Sequence, residues 1–273
     1  MRLRLLLILI FALAIIFRIY NIYPNNVIIG FDQARDLFIS QSIYKSFDLK
    51  IIGPTAGNNT DLHHGIAWIY FMLPPLMLFN GNPFWVSVWN SLINAAGVFI
   101  IFFFVKSLFK NEKTAFVSAF IWAISFYLIQ YSGWLSNPGP TLVTVPLFFW
   151  GMWEWIKQMK NNSPNQWGLV LALFSLGLSI QFELFFIYLI PIFFLLWIVF
   201  VKKLPSLKSF AVSVLAFCLV TSTMIITEVK YNFSGVKSIL GAGNQVGGHQ
   251  SVFANLKNYI PRFGETFSQA LTP

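Results

Sequence analysis

The chain has 273 residues, of which 57% are hydrophobic and 18% aromatic while only 10% are charged, against about 25% charged in a soluble domain. That balance excludes an ordinary water-soluble globule and makes the lipid bilayer the solvent, and the apolar residues come in helix-length blocks, not the short alternating segments of a barrel. The net charge of +9 does not point to nucleic acid, because Lys and Arg fall between hydrophobic blocks with no basic stripe, and the single cysteine, Cys218, leaves no disulfide framework or cysteine metal cluster.

In chain order, the sequence predicts an all-α polytopic bundle of about seven spanning helices, over roughly 3–20, 84–105, 114–132, 140–157, 167–181, 184–201 and 208–228. The first follows Arg2 and Arg4, is long enough to span and has no small-residue cleavage site after it, so it reads as an uncleaved signal-anchor. Residues 21–83 form a first outer loop with interfacial helices. Within it, 65–79 is apolar but short, with Pro74 and Pro75 at its middle. If that segment does not cross, Lys106, Lys110, Lys113, Lys157, Lys160, Lys202, Lys203 and Lys208 all share the side of Arg2 and Arg4. The opposite short loops, at 136–138 and 181–183, then carry no Lys or Arg. A broken or re-entrant helix at the outer interface is therefore expected there. The apolar run 167–201 is interrupted by Gln181 and Glu183, which predicts a tight outer turn between two helices. After Thr227 the composition turns rich in Gly, Asn and Gln, notably over 241–250. Residues 1–228 thus read as the transmembrane domain and 229–273 as an outer segment, the cut end of a loop in a longer protein.

Seven of the nine acidic residues fall on the outer side in this topology: Asp32, Asp36, Asp48, Asp61, Glu183, Glu228 and Glu265. Ionisable groups at membrane depth are costly and so are candidates for function. The densest cluster is Gly30-Phe31-Asp32-Gln33-Ala34-Arg35-Asp36, directly after the first helix, where Asp32, Arg35 and Asp36 share one helical face. Two roles are open to it. Asp32 N-caps the helix while Arg35 pairs with an acid, or a carboxylate at the membrane surface serves as general base or metal ligand. Asp61, His63 and His64 precede the broken helix; adjacent imidazoles diverge, so one imidazole facing a phosphate is easier to build than a metal site. Asn137-Pro138-Gly139-Pro140 is an outer turn, and Glu183 and Glu228 stand at outer helix ends. The signatures of P-loop ATPases, serine hydrolases and zincins are absent from the sequence.

One N-terminal helix, followed by an outer loop that opens on an acidic motif and closes on a proline-containing segment, resembles the GT-C glycosyltransferases. The similarity is to the family 39-like branch of protein O-mannosyltransferases and lipid A aminoarabinose transferases, over roughly residues 1–240. In that family an Asp of the first outer loop, often paired with a second acid, is the proposed base. Asp32 takes its place, with Gln33 where the second acid often stands. Counting back from Phe79-Asn80-Gly81-Asn82-Pro83-Phe84, which looks like the family's turn before the second spanning helix, His64 falls where the aminoarabinose transferases have a Lys contacting lipid phosphate, and Gly65 replaces the usual Pro. Asn137-Pro138 is similar to an Asp-Pro at the outer end of the third spanning helix, while Glu183 lies where many relatives have a basic residue.

The resemblance implies a GT-C-like membrane enzyme that moves a sugar, with inversion, from a polyprenyl-phosphate donor to the hydroxyl of a lipid, glycan or protein acceptor. Asp32 would be catalytic, and Arg35, Asp36, Asp61, His63, His64, Asn137, Glu183 and Glu228 would bind substrate. A divalent metal is compatible with the pattern but not required by it. The implied location is multi-pass among membrane lipids, in the plasma membrane if the cell is prokaryotic, with the site on the outer face. Two readings of other classes stay open. A transporter or flippase of lipid-linked saccharides would carry breaks or acids at matching depths in two halves, and a scaffold subunit would keep the fold without activity.

Overall fold

The computed structural model describes residues 2–56 and 62–238. Among them every regular element is a helix; one isolated bridge pairs Thr55 with His63. The long first helix α1 (Arg2–Ile22) leads into α2 (Phe31–Ser46), then two short helices, α3 (Ala67–Phe71) and α4 (Leu73–Leu78). α5 (Pro83–Ala95) runs on into α6 (Gly97–Phe109), and α7 (Glu112–Ile124) into α8 (Phe126–Gly133). α9 (Thr141–Lys160) and α10 (Trp167–Phe182) pair most closely of all. A 3-10 turn (Leu184–Tyr188), α11 (Leu189–Leu196) and a π turn (Trp197–Val201) form one apolar rod, followed by α12 (Leu207–Val220) and α13 (Ser222–Lys230).

Among the described residues, three helical stretches are long and apolar enough to cross a bilayer, Leu3–Ile22, Pro83–Phe109 and Leu184–Val201, and two bent pairs raise the count to five at most. The seven spans read from the sequence are not all supported. The 16 residues of α10 reach about 24 Å, short of the ~30 Å hydrocarbon core, and the last turns of α9 carry Glu154, Lys157 and Lys160. Both helices nevertheless belong to the bundle. A Cβ on Gly151 would lie 2.5 Å from the Ala172 nitrogen and one on Gly168 2.3 Å from that of Trp155, so small residues let the two backbones touch.

The broken helix expected over 65–79 is present as α3 and α4. Together, Ala67–Leu78 extend only about 18 Å. Trp68, Ile69, Met72 and Leu76 are buried in a core shared with Leu37 and Ile43 of α2, Val86 of α5, Leu135 and Phe182. This core lies beneath the loops that carry the candidate chemistry.

The bends share a feature, and it is not proline or glycine: a buried polar side chain from another helix meets the backbone at each. α7 and α8 meet at 51° across Ser125, whose backbone is extended. The fully buried Arg18 of α1 donates to the Ala123 carbonyl at 3.2 Å and the Trp122 carbonyl at 3.4 Å, two acceptors in the last turn of α7. α12 and α13 meet at 67°, where the Gln181 amide donates to the Val220 carbonyl at 2.9 Å and the Thr223 hydroxyl at 2.8 Å. At the end of α8, Ser87 donates to the Gly133 carbonyl at 2.8 Å and Asn90 to that of Ser132 at 2.8 Å. Buried polar side chains thus satisfy backbone groups that helix ends leave unpaired.

Candidate functional site

The site begins with how α2 starts. Gly30 is its N-cap in an extended conformation, and the Gln33 side chain accepts the Gly30 N–H at 3.0 Å. Gln33 therefore supplies the capping bond, and Asp32, two residues past the cap, is not the N-cap. Asp32 instead faces Arg35, whose Nη1 lies 2.9 Å from Asp32 Oδ1 and whose Nη2 lies 2.8 Å from Asp36 Oδ1. The shared face expected of the three residues is real, and its two acids are unlike. The Asp32 carboxylate is 69% exposed and that of Asp36 only 4%. Burial pushes the Asp36 carboxyl above its ordinary value, a rise that the Arg35 guanidinium opposes and the Asp32 charge reinforces.

The opposite wall is built from three distant segments. Residues 53–56 and 62–65 run antiparallel, with Ala56 N–H on the Leu62 carbonyl at 2.7 Å and His64 N–H on that of Pro54 at 2.9 Å. Alternation along this ribbon separates the two histidines: His63 Nδ1 contacts the Gly53 carbonyl at 2.9 Å and serves the ribbon, while His64 lines the cavity. Gly65 then passes against Gln181, whose Oε1 and backbone oxygen would lie 2.2 and 2.3 Å from any Cβ. A proline there would collide with Gln181.

His64, Asn137 and Glu183 meet at one point. His64 Nδ1 is 3.2 Å from Glu183 Oε1; the Asn137 amide donates to Glu183 Oε2 at 2.8 Å and to the Phe182 carbonyl at 3.2 Å. The Asn137 amide and the Leu184 N–H also approach Nδ1, at 3.3 and 3.5 Å, so the contacts of the ring gather on Nδ1 and Nε2 is its remaining polar atom. Glu183 also caps the 3-10 turn through the Phe185 N–H at 3.3 Å.

Between these walls lies a cavity of about 450 Å³, lined by Asp32, Arg35, Asp36, His64, Trp134 and Asn137 among others. Five of the nine candidate residues are therefore brought together, and Glu183 supports them from behind. His63 is turned into its ribbon. The Glu228 carboxylate accepts the Val236 N–H at 3.1 Å and does not line this cavity. Asp61 lies outside the described residues, as do residues 239–273 of the C-terminal segment expected over 229–273. Trp68, Trp134 and Ser136 were not singled out by the sequence; aromatic residues near helix ends were the signal available for the two tryptophans. A larger cleft of about 630 Å³ between α10 and α12, around Trp167 and Lys208, contains neither acid nor histidine. Among the described residues, no three His, Cys, Asp or Glu side chains are grouped to hold a metal ion.

Residues 63–226 match the family model described as dolichyl-phosphate-mannose-protein mannosyltransferase. The chain belongs to that family. It is with that a GT-C superfamily glycosyltransferase and an integral membrane protein, as the apolar helices require. No curated protein and no solved structure matches it. The stretch matched by the mannosyltransferase family takes in His64, Asn137 and Glu183 and begins downstream of Asp32, Arg35 and Asp36.

Proposed function

We propose that the α2 cavity transfers a sugar from a polyprenyl-phosphate donor to an acceptor hydroxyl on the non-cytoplasmic face, with Asp32 as general base. The observation that carries this reading is the convergence of an open carboxylate and an imidazole, from segments on opposite sides of one cavity, in a chain of the mannosyltransferase family. A lipid donor places its phosphate at the membrane surface, so acid–base and anion-binding groups belong at helix ends and not within the spans.

In this reading Asp32 takes the proton of the acceptor hydroxyl as its oxygen attacks the anomeric carbon. The bond from that carbon to the phosphate oxygen breaks, its electron pair leaves with the polyprenyl phosphate, and the single displacement inverts the anomeric centre. General-base assistance of this kind contributes ~10²–10⁴-fold. His64, oriented through Nδ1 by Glu183, offers Nε2 to the phosphate, where a charge-assisted bond in a partly desolvated site gains strength as charge develops. Arg35 is held by both acids, so its part is to fix the Asp32 carboxylate and to moderate the negative charge beside the donor. Asp36, buried against it, keeps the guanidinium in place.

Purified full-length protein given polyprenyl-phosphate mannose should release polyprenyl phosphate only when an acceptor is present. Absence of turnover with saccharide, lipid and peptide acceptors alike would defeat the proposal, and passage of intact donor across a vesicle bilayer would favour transport. The side of the membrane is tested by labelling single cysteines introduced at Asn82, expected to be external, and Lys110, expected to be cytoplasmic.

A further inference from the structure

A second cavity, of about 460 Å³, opens between the end of α1 and α8. Trp134 stands in the walls of both cavities, and the chain that lines the second with Asn26 and Ile28 continues into Phe31 and Asp32 of the first. Its lining is unlike that of its neighbour. Asn21, Asn26 and Gln130 supply three side-chain amides, Tyr131 a phenol, and no residue around it is charged. None of these four side chains hydrogen-bonds to another described residue, and the exposed rings of Tyr131 and Trp134 stand edge to face at 5.5 Å.

Each amide both donates and accepts, as does the phenol, so this set complements a ligand rich in hydroxyl groups. The aromatic faces offer a surface for the C–H side of a sugar ring. A phosphate would find no cation here, and a lipid chain would strip water from amides without replacing its hydrogen bonds. A peptide is commonly taken by pairing with a strand edge or by an apolar anchor groove, and no described strand borders this cavity.

We propose that this cavity is the subsite for a neutral saccharide unit of the acceptor, seated on Trp134 and Tyr131 so that a hydroxyl reaches Asp32 next door. The acceptor role rests on the transferase reading above; saccharide binding itself does not. The site that performs the transfer is then divided into a charged half for the donor phosphate and a neutral half for the acceptor sugar, with one tryptophan between them.

Saturation-transfer NMR on the full chain in nanodiscs, with methyl α-mannoside and neutral hexose disaccharides as probes, reads binding directly. The wild type should give a signal, and the Asn21→Ala/Gln130→Ala double variant should bind at least about tenfold more weakly, as loss of two or more hydrogen bonds implies. Tyr131→Phe, which deletes a single hydroxyl, should weaken binding less and guards against a folding defect in the double variant. In turnover with a saccharide acceptor, the same variants should raise the saccharide KM and leave the donor KM in place. No binding by the wild type, or equal binding by the variants, overturns the subsite. Turnover on a serine- or threonine-containing peptide without saccharide binding overturns it while sparing the transferase reading. Saccharide binding without turnover on any acceptor removes the acceptor role and counts against that reading instead.

Discussion

Arg18 and Arg35 mark two polar regions of this molecule that handle charge in opposite ways. Arg18 is fully buried and bonds only to backbone carbonyls, one in its own helix and two in the last turn of α7. Its region continues through Ser87, Asn90, Ser91 and Asn94, a buried stripe on α5 whose amides and hydroxyls meet backbone carbonyls at the end of α8 and within α5 itself. Arg35 is half-exposed, is held by two carboxylates and faces a cavity. In a bilayer every unpaired backbone group is costly, and the first region removes that cost where helices break. The second places an exposed carboxylate and an imidazole at a cavity surface, where Asp32 is paired with Arg35 and His64 with Glu183 through side chains, not through the backbone. The lesson is that burial of a polar residue in a membrane helix is poor evidence for function until its partners are known.

If the division holds, the two regions respond to different measurements. His64→Ala should cut kcat/KM for the donor by roughly 10–100-fold, as loss of one hydrogen bond to a charged group implies, with Tm nearly unchanged. A variant that melts early with normal kinetics would move His64 into the structural class. Arg18→Met should do the reverse, leaving the Trp122 and Ala123 carbonyls unpaired at a cost of about 1–3 kcal/mol. Thermal melting in a fixed detergent reads this, and an unchanged Tm would show that the α7–α8 bend does not need the guanidinium.

A smaller effect is expected at Asp36. Its pKa is raised from the ordinary 3.8 by burial, so its contribution to stability is fully present below that value and is lost as pH rises through the folded value. Asp36→Asn should therefore remove a component of stability that declines with rising pH from about 4 upward. Identical pH slopes for the variant and the wild type would contradict that burial.

Much of the cavity was legible because it is local. The spacing of Asp32, Arg35 and Asp36 determines a shared helical face, and Pro74 with Pro75 in a short apolar segment signalled the broken helix. The start of α2 was misplaced in the capping alternative: the helix begins two residues earlier, at Phe31 with Gly30 as its N-cap, and Gln33, not Asp32, supplies the capping bond. The partnership of His64 with Glu183 was not legible, since it depends on how a ribbon and an inter-helix turn meet, and the Glu183 position had suggested a basic residue in relatives. The bends at Ser125 and Thr221 were equally hidden. Neither carries Pro or Gly, and the side chains that meet the backbone there, Arg18 and Gln181, belong to other helices. The seven-span count is not confirmed, because the last turns of α9 are polar and α10 is short, features that apolar content alone does not weigh.

The central claim is that the open carboxylate of the α2 cavity performs the chemistry, and Asp32→Asn tests it most directly. The amide keeps the size of the side chain, and the capping bond of α2 belongs to Gln33, so expression and Tm should stay close to wild type. Transfer from polyprenyl-phosphate mannose, measured beside Asp36→Asn in the same membranes, should fall by at least ~10²-fold because an amide cannot take the acceptor proton. Near wild-type transfer by Asp32→Asn, with loss in Asp36→Asn, would contradict the account and move the base to the buried acid one helical turn along.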